Sequence, residues 1–105
     1  MNTTQTLTTS NATATDSSDL GSWTRRRWHY ALGEETYALL VHGRAATGGG
    51  RTGRTLFWTA SAWSYEGSTE SDDLGPLPAW EEFSPEFRTQ ARALEWLNVR
   101  LAARC

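Results

Sequence analysis

Lysine is missing from this 105-residue chain, and all ten of its basic side chains are arginine. Cysteine occurs once, as the last residue Cys105, so an internal disulfide is excluded. Histidine occurs only at His29 and His42, too few with one terminal cysteine for a recognisable zinc ligand set. No apolar run approaches the roughly 20 residues needed to span a membrane as a helix. Residues 1–22 contain seven threonines but neither a basic n-region nor an apolar h-region, so no signal peptide is expected. These absences point to a cytoplasmic protein with no membrane partner, no metal and no cofactor. The length points to one domain with a small core.

What is present is unevenly charged. The formal net charge is only −2. Residues 25–54, however, hold Arg25, Arg26, Arg27, Arg44, Arg51 and Arg54 against Glu34 and Glu35, a net +4. Residues 66–86 hold Glu66, Glu70, Asp72, Asp73, Glu81, Glu82 and Glu86 with no base, a net −7. Such asymmetry bears on partners and association rather than on fold.

The fold expected is α+β: a small antiparallel sheet of three or four strands packed against one C-terminal helix, behind a disordered N-terminal arm. Residues 1–22 bury too little to offset the entropy of ordering and form that arm; residues 23–105 form the domain. Residues 23–32 read as a strand with Trp28, Tyr30 and Leu32 on its apolar face. Residues 36–42 read as the next, with Tyr37, Leu39 and Val41 on one face, and the short connection makes the two a hairpin. Residues 54–65 read as the central strand, carrying Leu56, Phe57, Trp58, Trp63 and Tyr65. Its imperfect alternation implies either two covered faces or a bulge near residues 60–62. Residues 66–83 read as a long acidic loop, with room for a fourth short strand. Residues 84–104 read as a helix, with Ser84 as N-cap, Pro85 at the first position and Phe87, Ala91, Leu94, Leu97 and Leu101 along one apolar stripe. On that wheel Trp96 points away from Phe87, outward, between Arg92 and Arg100.

No motif dictates a chemistry. Residues 48–55 match the P-loop spacing with Arg54 in place of lysine, but the stretch that follows reads as a strand, whereas a P-loop requires a helix there. An enzyme using His29 or His42 is the weakest-supported reading, since no nucleophile or ligand set accompanies either. Arg25, Arg26, Arg27, Arg51 and Arg54, interleaved with aromatics, suit a small nucleic-acid-binding regulator with an Arg/aromatic sheet face. The overall acidity opposes that reading. The acidic segment favours a protein partner with a basic groove, of the kind found in nucleic-acid-binding complexes. There Glu70, Asp72, Asp73, Trp80, Glu81 and Glu82 supply charge and an aromatic anchor, and Arg92, Trp96 and Arg100 supply a second contact or a homodimer face. In size and build the chain is similar in kind to small proteins of phages and mobile elements, anti-CRISPR proteins among them, although no particular residue carries that likeness. It implies a non-enzymatic inhibitor that binds and obstructs a larger nucleic-acid-processing complex.

Overall fold

Alternating side chains and tight turns build the sheet one hairpin at a time. In this computed structural model, which describes residues 6–46, 53–68, 70–71 and 75–104, β1 spans Ala14–Asp19, β2 Trp23–Ala31, β3 Thr36–Ala45 and β4 Thr55–Ser64. Two short pieces follow, β5 at Glu70–Ser71 and β6 at Gly75–Pro76, paired only with each other. Then come β7 at Trp80–Phe83 and the helix α1 at Gln90–Arg104. The main sheet is antiparallel and runs β1-β2-β3-β4-β7.

The sheet therefore has five strands where three or four are expected. The fourth is β7, the short strand for which the acidic segment has room. The fifth, which the sequence reading does not provide for, is β1, from the arm. The expectation of disorder over residues 1–22 fails from Thr6 onward. β1 pairs with β2 from Ala14↔His29 to Asp19↔Thr24. Ahead of it, Leu7 is only 3% exposed inside the core. Composition misled here because one buried leucine and a ladder of backbone bonds anchor the segment, and neither needs an apolar-rich sequence.

One face of the sheet is the core face. Trp28 and Tyr30 of β2, Ala38 and Leu40 of β3, and Trp58, Ala60 and Ala62 of β4 are buried on it together with Ala93, Leu97 and Leu101 of α1. The small residues of β3 and β4 let the helix approach closely. Tyr37, Leu39 and Val41 do share a face, as expected, but it is the opposite, open one, and Tyr37 is exposed. No bulge interrupts residues 60–62: β4 keeps register from Phe57↔Gly43 to Ser64↔Thr36, and the irregularity falls at Gly43/Arg44.

The helix is shorter than expected. Residues 84–87 run beside β4 instead of opening α1, and the chain bends at Arg88 and Thr89 before the helix begins. Ser84 Oγ accepts the Ala60 N–H at 2.8 Å, and Phe87 exchanges backbone bonds with Trp58 at 2.7 and 2.8 Å. The first helical turn is capped by Thr89, whose Oγ1 accepts the Arg92 N–H at 3.2 Å. Phe87 therefore does not belong to the helical stripe, and the wheel that set Trp96 opposite Phe87 does not apply. Trp96 is partly buried and packs against the core. Among the described residues no helix is long and apolar enough to cross a membrane.

Candidate functional site

Register decides which side chains share a surface, because residues directly opposite on neighbouring strands point the same way. Trp23, Arg25, Arg27 and His29 face one side with Tyr37, Leu39, Val41, Phe57, Thr59, Trp63, Glu81 and Phe83. No described element packs on that side, and Phe83 is 70% exposed there. Arg26 faces the helix side, opposite His42. The arginine run 25–27 is thus split across the sheet, and it does not form one basic surface.

The open face carries two aromatic clusters. At one end Phe57 lies on Gly43, where a Cβ would meet its ring at 2.6 Å, and Trp23 tilts against Phe57 at 5.6 Å. Arg25 stands beside them, paired with Gly43 in register, and its buried Nε has no hydrogen-bond partner. At the other end Tyr37 stacks on Trp63 at 6.0 Å and meets Tyr65 edge-on at 6.2 Å. Trp63 lies opposite Glu81 of β7. Midway, Asp16 Oδ1 accepts from Arg27 Nε at 2.8 Å and Asp16 Oδ2 meets His29 Nε2 at 2.7 Å. The Arg27 hydrogen bond, then that of His29, holds the Asp16 carboxyl down to about 2.

The two ends carry opposite charge. Glu34 and Glu35 occupy the β2–β3 turn, and Glu66, Glu81 and Glu82 lie at the same end of β4 and β7. Arg25, Arg26, Arg44 and Arg54 lie at the far end, by the β1–β2 and β3–β4 connections. Strands of ten residues rise about 33 Å, so the ends are separated by several Debye lengths at physiological salt.

Of the residues expected to meet a partner, Asp72, Asp73 and Arg51 lie outside the described residues, as do residues 48–50 and 52 of the P-loop-like stretch. Glu70 opens β5. Thr55, at the end of that stretch, begins a strand, so the backbone N–H groups that follow enter a ladder and not a helix N-terminus. Trp80 and Glu82 face the helix, whereas Glu81 faces the open side; adjacent carboxylates on a strand cannot share one surface. Glu82 Oε1 lies 3.9 Å from Arg100 Nη1, a solvent-washed pair worth little. Arg100 also stacks on Trp96 at 5.5 Å. Phe87, Arg92, Glu95, Trp96, Val99 and Arg100 line an open groove of about 310 Å³.

His29 and His42 are not neighbours, because they sit on opposite faces. His42 lies flat on Trp58, ring centres 4.0 Å apart, with Nε2 3.0 Å from Thr55 Oγ1. Burial first, then the charges of Arg44 and Arg26, push its imidazole below the usual value. Among the described residues no three His, Cys, Asp or Glu side chains come within metal-binding reach of one another.

The aromatic cluster Tyr37–Trp63–Tyr65 is absent from the set read off the sequence. Its signal was present in the period-two spacing of Trp63 and Tyr65, but without strand register nothing linked them to Tyr37 or Glu81. Against known proteins, no family model, no curated protein and no solved structure matches the chain.

Proposed function

We propose that this protein is a non-enzymatic inhibitor that binds and obstructs a larger nucleic-acid-processing protein by seating the acidic end of its open sheet face on a basic groove. One observation carries the reading. Three aromatic rings, Tyr37, Trp63 and Tyr65, stand together on a face that no described element covers, with Glu81 in register beside Trp63 and Glu34, Glu35 and Glu66 on the flanking turns.

Aromatic rings with aligned carboxylates suit a partner rich in arginine and lysine. The rings accept cations over their faces and supply buried area at low entropic cost. The carboxylates steer approach and reject acidic surfaces. A groove that ordinarily holds a phosphate backbone has that complementary charge, so occupying it displaces nucleic acid without chemistry. On this proposal the anchor lies on β3 and β4, and not on the acidic loop as a whole.

The test is capture from a native lysate in three arms: unmodified protein, Trp63→Ala and Glu81→Arg. The expected result is a captured nucleic-acid-binding protein that is released by added oligonucleotide and lost with either variant. Capture that survives both variants, or that oligonucleotide does not compete, overturns the reading.

A further inference from the structure

At the basic end, on the helix side of the sheet, a second surface has a different composition. Arg26 stands directly opposite His42, and His42 directly opposite Trp58. Two residues further along β3, Arg44 pairs with Thr24 on one side and Thr55 on the other. Trp58 stacks on Trp28 at 5.5 Å, and His42 stacks on Trp58 at 4.0 Å. The Arg26 guanidinium lies 5.0 Å over the Trp28 ring. Trp28 and Trp58 are buried, Arg44 and His42 are half-buried, and Arg26 is exposed. The result is a shelf with an aromatic floor and two guanidinium groups at its margin.

Neither arginine has a carboxylate partner among the described residues, in contrast to Arg27 with Asp16 and Arg100 with Glu82. The nearest acid in register on this face is Asp19, opposite Thr24, and its Oδ1 already accepts the Gly21 N–H at 3.0 Å. Two cations are therefore gathered on one face with like charge between them, and the imidazole in their midst is disfavoured as a third. Such an arrangement is electrostatically unfavourable until an anion arrives. An arginine fork donates in a plane to two oxygens, so two forks match a tetrahedral group with three or more acceptors better than a two-oxygen carboxylate. The aromatic floor excludes water from one side and strengthens each contact.

We infer that the Arg26–His42–Arg44 shelf is a phosphate-binding site, for a phosphate group either free or within a nucleic-acid backbone. The site is independent of the acidic end: it lies on the other face and at the other end of the strands. A partner complex that contains nucleic acid presents both complements, basic protein to one end and phosphate to the other.

The chain's two histidines make the experiment self-controlled, because His42 lies on the shelf while His29 lies on the opposite face with Asp16. Ring signals of both are followed by NMR at constant ionic strength during titration with inorganic phosphate, with a short oligothymidylate and with acetate. The expected result is a saturable shift of His42 with phosphate, none of comparable size with acetate, and a stationary His29. Removing one charged fork, Arg26→Gln or Arg44→Gln, weakens that response by roughly tenfold or more. Saturation by the oligonucleotide at lower phosphate concentration assigns a backbone as ligand, and equal saturation assigns a lone phosphate group. A His42 signal that ignores phosphate, an equal response to acetate, or an undiminished response in both folded glutamine variants overturns the site.

Discussion

The side chain of Asn98 in α1 binds the backbone of Leu7 twice, accepting its N–H at 2.7 Å and donating to its carbonyl at 3.2 Å. The carboxamide acts as a short length of β-strand would. It also donates to Leu94 O at 2.9 Å, which fixes its rotamer along the helix. Tyr30 adds a third tie through its hydroxyl, which donates to Thr8 O at 2.9 Å. Leu7 and Thr8 are thereby tied to the core.

Leu7→Ala is accordingly expected to cost about 2–4 kcal/mol, as for a buried leucine truncated in a core. Asn98→Ala should cost about 1–3 kcal/mol, because it leaves backbone groups of Leu7 unpaired in a partly buried place. Chemical denaturation of the two variants checks both. Deleting residues 1–21 removes Leu7 and β1 together and should unfold the domain or lower its melting temperature sharply.

Helix docking gives a second comparison. Leu97 is fully buried, whereas Leu94 is only partly so. Leu97→Ala should cost about 2–5 kcal/mol, and Leu94→Ala clearly less, since the cost scales with the void left behind. Equal costs in urea unfolding would mean that α1 presents a different stripe to the sheet.

The Asp16 carboxyl gives a pH prediction. It is held at about 2 from an ordinary 3.8, first by the Arg27 hydrogen bond and then by that of His29. The unfolded chain therefore binds the proton more readily than the folded one. The stabilisation is present above about 3.8 and is lost as pH falls through about 2. Asp16→Asn should lower the melting temperature modestly at neutral pH and flatten its decline between about pH 4 and pH 2. A parallel decline in both proteins would show that the Asp16 cluster contributes nothing to acid stability.

How much of this was legible follows from the particular residues. The β2–β3 hairpin was, since Trp28 and Tyr30 alternate with polar residues and residues 32–35 cannot continue a strand. The C-terminal helix was, in its Leu97–Leu101 half. The faces of β3 and β4 were not, because Ala38, Ala60, Ala62 and Ser64 form the core side while the larger Tyr37, Phe57 and Trp63 stay half-buried or exposed. Size therefore does not separate the two faces, since Leu40 and Trp58 share the core side with these small residues. Ser84-Pro85 resembles a helix start, yet pairing with Ala60 and Trp58 outweighs that local preference. The charge blocks were visible at once, but only the hairpin order turns them into opposite ends of one sheet.

The turn between β2 and β3 yields the last prediction. Glu34 and Glu35 both adopt left-handed backbone, with φ of 52° and 56°, directly after Gly33 at 83°. For residues with a Cβ that conformation costs about 1 kcal/mol or more each, and glycine avoids it. The turn is nonetheless fixed, because Leu32 N–H donates to Thr36 O, Thr36 N–H to Gly33 O, and Tyr65 N–H to Glu35 O, all within 3.0 Å. Two strained glutamates beside the Tyr37–Trp63–Tyr65 cluster therefore carry a stability cost, which the partner binding proposed above accounts for if their carboxylates take part in it. Glu34→Gly removes strain and charge together, whereas Glu34→Ala removes the charge and keeps the strain. Glu34→Gly should raise stability by about 0.5–1 kcal/mol, since relief of strain outweighs the extra freedom of the unfolded chain. Glu34→Ala should leave stability nearly unchanged. Both should weaken capture of a basic partner to the same degree and make the remaining binding less sensitive to salt. If Glu34→Gly is no more stable than Glu34→Ala, the turn is unstrained. If capture is intact in both, the glutamates serve only the surface.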